Sequence, residues 1–240
     1  MRIRRFFLNT CVVAAFGIGP AFAEPVEQED VFGEKVRHYL MTHPEVILEV
    51  MDILAARQSE LATKVLLEPH VAALFETELD LRVGPTDAEH VIVEFFDYNC
   101  AVCKANVPVM QAFVAETPNV AIVKKHLPIL SPSSERAVRF VLAARTIYGD
   151  AAHSELHSAI YAKIGPLTLT RLSQIAHDLG FEPEAIEPRM QDAEITDVID
   201  QHRDIAMALK ILGTPTFVTR DKMHVGAVTP EILTRMVGGA

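Results

Sequence analysis

The stretch Val91-Ile92-Val93-Glu94-Phe95-Phe96-Asp97-Tyr98-Asn99-Cys100-Ala101-Val102-Cys103 decides how this chain is read. Its first six residues are apolar except for Glu94, the composition of a buried strand. From Ala101 to Glu116 the period changes, and Val102, Val109, Met110, Phe113 and Val114 fall on the apolar side of a helix. Cys100 therefore stands where a strand hands over to a helix. Unpaired backbone N–H groups and the helix dipole favour thiolate over thiol at that place. Cys103 lies one turn further in, its β-carbon about 5–6 Å away, so slight adjustment makes or breaks a disulfide. Such a pair suits reversible exchange, with Cys100 as the attacking or attacked sulfur and Cys103 as the resolving thiol. Two other uses stay open from the residues alone, an inert structural disulfide and half of a metal site. A structural zinc needs about four ligands, and the chain holds no second Cys pair.

The amino terminus reads as an export signal. Arg2, Arg4 and Arg5 precede an apolar run from Phe6 to Ile18, and Ala21-Phe22-Ala23 offers cleavage after Ala23. A retained anchor fits less well, because the run is short for a span and is broken by Asn9, Gly17, Gly19 and Pro20. Arg4-Arg5-Phe6-Phe7-Leu8 resembles a twin-arginine signal, which leaves the export route open between that pathway and the general one. Cleavage would discard Cys11 and leave 217 residues in which Cys100 and Cys103 are the only cysteines. The remainder carries 19 basic against 32 acidic residues, a net −13, which argues against a nucleic-acid partner. In an oxidising compartment such as the periplasm, a lone cysteine pair in an otherwise cysteine-free chain points to function.

From about Val31 to Phe75 the pattern is helical, and Gly84-Pro85-Thr86-Asp87 punctuates it before the strand at Val91. Residues 24–83 are accordingly expected as a helical extension and 84–240 as the catalytic domain. Thr42 and Glu45 stand at capping-box spacing with Pro44 between them, which predicts a helix restart. Beyond it Ile47, Met51, Leu54, Gln58, Leu61 and Val65 recur at steps of four and three, a seam of about three heptads suited to self-association or to packing on the chain's own domain. Val120 to Leu127 reads as a second strand. The next strand-like stretch, Pro215 to Thr219, lies 86 residues beyond Pro128, so an inserted helical layer is expected at about 133–212. That strand is expected to be of parallel type, followed by an antiparallel edge at Lys222–Gly226 and a helix from Pro230 to Val237. The order of elements predicts an α/β layer architecture.

Glu94-Phe95-Phe96-Asp97-Tyr98-Asn99-Cys100, Cys103 with Lys104, and Gly213-Thr214-Pro215-Thr216-Phe217 together resemble the DsbA-type thiol-disulfide oxidoreductases over roughly Asp87 to Val237. The His43-Pro44-Glu45 segment resembles the suppressor-of-copper-sensitivity C branch of that family, whose members carry an oligomerising extension. The resemblance implies a thioredoxin-like fold with a helical insertion. It implies no cofactor, cysteine-containing exported proteins as substrates, a membrane redox partner, and homo-oligomers formed through the amino-terminal helices.

The resemblance further implies that Pro215 is a cis proline opposite the cysteines, with Thr214 before it offering backbone to an incoming peptide strand. Glu94 corresponds to the family's acid under the cysteine pair, where a buried carboxylate with raised pKa would relay the proton of Cys103. Lys124 is oriented to pair with Glu94 from the next strand, Lys125 points the other way, and Asp97 is expected to shape the turn before the helix. The ten histidines lack ligand spacing, so mostly solvated side chains and a surface pair at His153 and His157 are expected. Val102 stands where strong oxidases of the family have histidine and gives the thiolate no hydrogen bond or charge, so isomerase or reductase activity stands beside oxidase. A different class of function, Cu(I) binding by the reduced pair, also suits thiolates.

Overall fold

The computed structural model describes residues 27–75 and 80–238, so the expected signal segment and its cleavage site lie outside the described residues. The chain divides into two compact units between Ile53 and Leu54. In the first, α1 (Glu27–Thr42) ends where the sequence predicts a break, and α2 (Glu45–Leu67) begins there and runs on into the second unit. The expected capping box does not form. The Thr42 hydroxyl instead donates back to the carbonyls of His38 at 2.9 Å and Tyr39 at 3.0 Å, and His43 Nδ1 meets Glu45 Oε1 at 3.2 Å. Pro44, which has no backbone N–H, is what interrupts the helix.

The second unit is built on a five-stranded sheet in the order β1-β3-β2-β4-β5. These are β1 (Leu81–Val83), β2 (His90–Phe96), β3 (Val120–His126), β4 (Thr216–Val218) and β5 (Met223–Val225). The helices are α3 (Val71–Phe75), α4 (Ala101–Glu116), α5 (Pro132–Tyr148), α6 (Asp150–Tyr161), α7 (Leu169–Asp178), α8 (Pro183–Ile186), α9 (Ala193–Ala208) and α10 (Pro230–Val237). The central pair is parallel, with Glu94 opposite Lys124 and Phe96 opposite His126.

The strand after the insertion does not run as expected. β4 is antiparallel to β2, pairing Val93 with Val218 and Phe95 with Thr216. The insertion returns the chain at the cysteine end of β2, where Cys100 Sγ reaches the Thr214 carbonyl, so the strand that follows runs back along β2. A second difference concerns the boundary near residue 84. Leu81–Val83 already forms a strand, antiparallel to β3, and Leu67 and Leu74 are fully buried with Val93, Phe95 and Val123. Gly84 makes the tight exit from β1: at φ +108° its missing Cβ would lie 2.8 Å from the Val120 carbonyl oxygen.

Side chains alternate across the sheet as the period of two requires. Ile92, Ile122 and Phe217 pack against Met110 and Phe113 of α4 and Leu233 and Met236 of α10. Val93, Phe95, Val123 and Val218 pack against Ile205, Ala206 and Leu209 near the end of α9. A third cluster joins α5 to α9 around Phe140, Leu156, Leu172 and Ile199 and reaches Phe96, Tyr98, Cys100 and Cys103. The helical insertion therefore packs directly on the turn that carries the cysteines.

Candidate active site

Cys100 is the N-cap of α4, extended at φ −73° and ψ 113°, and its sulfur accepts the Cys103 backbone N–H at 3.1 Å. The thiol also lies 3.3 Å from the carbonyl oxygen of Thr214. Both cysteines are reduced; Cys100 keeps 5% of its surface exposed and Cys103 none. Their acidities diverge. The hydrogen bond from the Cys103 thiol, then the Cys103 backbone N–H, the Thr214 side chain and the Val102 backbone N–H bring the Cys100 pKa down to about 6, against the opposing effect of burial. The Cys103 thiol is pushed far up by its bond to Cys100, by burial and by the negative charges of Cys100 and Glu94. One sulfur is thus an accessible nucleophile and the other a shielded proton holder, as their places on the first helical turn require.

The turn before the helix is fastened by Asp97, which is fully buried. Its Oδ1 accepts the Asn99 N–H at 2.7 Å, and its Oδ2 accepts the N–H groups of Ile129 and Leu130 at 3.0 Å each. Asn99 Nδ2 donates to the hydroxyls of Ser131, Ser133 and Ser134 at 2.8–3.0 Å. These contacts tie the start of α4 to the start of α5, where Ser131 is the N-cap. Sequence reading missed the tie, although Ser131-Pro132-Ser133-Ser134 is a recognisable helix start.

Thr214–Pro215 is a cis peptide, the isomer that the resemblance implies, and it precedes β4 beside the cysteines. Glu94 is 1% exposed and bonds the ammonium of Lys124, itself 7% exposed, on the α4 side of the sheet. Lys125 points to the other face and bonds Asp80. The pairing of residues 94 and 124 follows from their register. Removing one partner alone would leave a buried charge uncompensated.

The expected surface pair at His153 and His157 is buried, as are His126 and His202, while the other six histidines are exposed or half-buried. His126 and His153 are fully buried, and His202 and His157 are 3% and 6% exposed. His126 Nε2 faces His153 Nε2 at 3.3 Å, His157 Nδ1 meets the Tyr98 hydroxyl at 3.2 Å, and His202 Nε2 meets Asp80 Oδ1 at 2.8 Å. The helical spacing of His153 and His157 does put them on one face of α6, but that face is turned inward. Only the burial of α6 against the end of β3 tells a core face from a solvent face. Among the described residues no group of three or more His, Cys, Asp or Glu side chains is arranged to hold a metal ion. Among them, too, no helix is long and apolar enough to cross a membrane.

Comparisons with known proteins agree with this geometry. A family model described as DSBA-like thioredoxin domain matches residues 91–237, and one described as copper resistance protein ScsC N-terminal domain matches residues 28–60. A thioredoxin-like oxidoreductase from Silicibacter pomeroyi DSS-3 is 32% identical with a TM-score of 0.65, over 69% of this chain and 94% of that one. The catalytic domain of Proteus mirabilis ScsC is 26% identical with a TM-score of 0.64, over 72% of this chain and 96% of that one. A periplasmic thioredoxin-like protein from Salmonella enterica serovar Typhimurium is 28% identical with a TM-score of 0.62, over 69% and 92%. The curated relatives, Na(+)/H(+) antiporters of Salinispora tropica and Salinispora arenicola, are 26% identical over 159 residues, 65% of this chain. The chain spans only 24% of their length.

Proposed function

The chain belongs to the DSBA-like thioredoxin-domain family, and from that premise we propose that it exchanges disulfides with exported, cysteine-containing proteins in the periplasm through Cys100 and Cys103. The observation that carries this reading is the asymmetry of the pair: Cys100 caps α4 with its sulfur on the Cys103 N–H and beside the Thr214 carbonyl, while Cys103 is fully buried behind it, and the Cys100 pKa is lowered where that of Cys103 is raised. In the reducing or shuffling direction the Cys100 thiolate attacks a substrate disulfide, forming a mixed disulfide and releasing one substrate thiolate. Cys103 then loses its proton and attacks Cys100 Sγ; the second substrate thiolate leaves, and the Cys100–Cys103 disulfide holds the two electrons' worth of oxidation. Oxidation of a substrate dithiol is the same path reversed, and a membrane redox partner would reset the pair.

Glu94, buried beneath the cysteines and bonded to Lys124, is placed in this scheme as the proton acceptor for Cys103. Thr214 and Pro215 hold the substrate: the Thr214 carbonyl already meets Cys100 Sγ, and a peptide added as a strand there brings its cysteine to that sulfur. Val102 is 42% exposed and gives the Cys100 anion no side-chain donor, so disulfide shuffling fits at least as well as strong oxidation. The amino-terminal helices, which match the ScsC amino-terminal family model, join the subunits.

The decisive measurement is turnover with a disulfide-bonded protein substrate. Cys100→Ser is expected to abolish exchange, and Cys103→Ser to accumulate a mixed disulfide visible by mass spectrometry. Full activity in both variants, or tight stoichiometric Cu(I) binding by a reduced protein that exchanges no disulfide, would sink the reading.

A further inference from the structure

Beside Cys100, among the described residues, two cations, Lys104 and Arg171, stand without a salt bridge to any carboxylate. In this acidic chain of net charge −10, four arginines pair with carboxylates: Arg139 and Arg203 with Glu135, Arg145 with Asp150, Arg189 with Asp192. Among the described residues, Lys104, Lys163 and Arg171 make no salt bridge. Lys104 is four residues after Cys100 on α4, its N–H bonded to the Cys100 carbonyl at 3.1 Å, so both side chains lie on one face. Its ammonium donates to the Lys163 carbonyl at 2.5 Å, which fastens the loop after α6 to the active-site helix. Arg171, in the first turn of α7, lies across that same loop, with Nη1 3.3 Å from where a Cβ on Gly165 would stand. The two cations feel one another: burial and the repulsion of Arg171 push the Lys104 pKa down, against the opposing attraction of Asp97 and Cys100. A carboxylate brought to this edge by a substrate would relieve the repulsion that Asp97 and the Cys100 thiolate offset only in part.

Exposed apolar side chains lie on the segments next to this site. Ile164, on the fastened loop, is 89% exposed; Leu212, two residues before Thr214, is 92% exposed; Val102 is 42% exposed. Polypeptide fits such an edge better than a small anion does, since it offers apolar side chains and a charge together.

We propose that Lys104 and Arg171 form a carboxylate-reading edge beside Cys100, so that the chain prefers substrates whose reactive cysteine is flanked by aspartate or glutamate. This inference rests on the exchange function proposed above. It also predicts a sign opposite to that of the whole molecule, because a chain of net −10 steers basic peptides toward itself at long range.

Stopped-flow exchange between the reduced full chain and disulfide-linked peptides tests it, with the cysteine flanked by Asp, Ala or Lys. The Asp-flanked peptide is expected to react about three- to tenfold faster than the Lys-flanked one at low salt, with the gap closing at high salt. Arg171→Glu should invert that ratio and Lys104→Gln should shrink it. Any change in Cys100 nucleophilicity moves all three rates together, and each peptide's intrinsic reactivity is the same for every protein, so the change in ratio between the natural chain and its variants reports charge recognition. Equal rates, or faster reaction of the Lys-flanked peptide with the natural chain, would overturn the inference while leaving exchange intact. Failure of every peptide, the neutral one included, would instead overturn the function on which it stands.

Discussion

Cys100 draws its acidity from few sources, and they can be told apart. The Cys103 thiol and backbone N–H are the main ones; the Thr214 side chain and the Val102 backbone N–H follow, and burial works against them all. None of these leading contributions comes from a side-chain cation, in keeping with the aliphatic Val102. Rapid alkylation of the reduced chain should therefore follow a single ionisation near pH 6, the value to which Cys100 is lowered. Above that pH the thiolate is present and alkylation is fast; below it the thiol protonates and the rate falls about tenfold per unit. Cys103→Ala removes the leading contribution and should move the midpoint up toward the ordinary thiol range. A midpoint unchanged in that variant would mean that the helix terminus, and not Cys103, sets the acidity. Asp97 shows the complementary lesson: it looks like a turn residue in the sequence, and its two oxygens hold three backbone N–H groups from two separate loops.

At the level of elements, the packing of α6 and α9 on the end of β3 places three histidines, His126, His153 and His202, around one buried spot. Burial lowers His126 and His157 well below the ordinary histidine range, and it lowers His153 to about 4. The groups that face them are Lys124 and Lys125 from β3, Asp80 before β1, and Arg145 and Asp150 around the start of α6. A histidine whose folded pKa lies below its unfolded value stabilises the fold fully above the unfolded pKa, and that stability is lost as pH falls toward the folded value. The window here is pH 6.5 to about 4, and His153 alone should account for about 2–3 kcal/mol of loss by pH 4.5. Asp80, also lowered, adds its own loss only as pH falls below the ordinary aspartate value of 3.8. Urea unfolding at pH 7 and 4.5 checks this, and His153→Phe should flatten the difference. Equal midpoints at the two pH values would show that the cluster opens without cost. This junction also marks where the sequence stops being legible. Long periodic elements such as α4, β2 and α10 read plainly, as did Glu94 facing Lys124, because strand alternation fixes which side chains share a face. The three-residue strand at Leu81–Val83, the direction of β4 and the inward turn of His153 and His157 depend on contacts with residues 27 or more positions away. No local pattern encodes them.

For the whole molecule, the open issue is why so much apolar surface lies on the amino-terminal helices. Phe32 and Met41 on α1 are each 70% exposed, and Leu48 and Met51 on α2 are 65% and 60% exposed. Soluble monomers seldom leave such a row uncovered, and Ile47 and Met51 belong to the four-and-three seam that coiled coils bury. A second copy of the same helices would cover the row with like chemistry, as in the oligomer proposed above. Subunits joined this way hold several Cys100 sites at high effective concentration around one substrate. That tethering matters little for a peptide with one disulfide and much for a scrambled protein in which one bond must be broken before another forms. Met51→Glu places a charge in the seam and is expected to reduce the particle to a single subunit by light scattering. The same variant should keep its rate with a one-disulfide peptide and lose most of its rate in refolding a scrambled protein. If the variant stays assembled, the seam is not the joint. If it dissociates and still refolds scrambled protein at the full rate, the helices join subunits for some purpose other than shuffling.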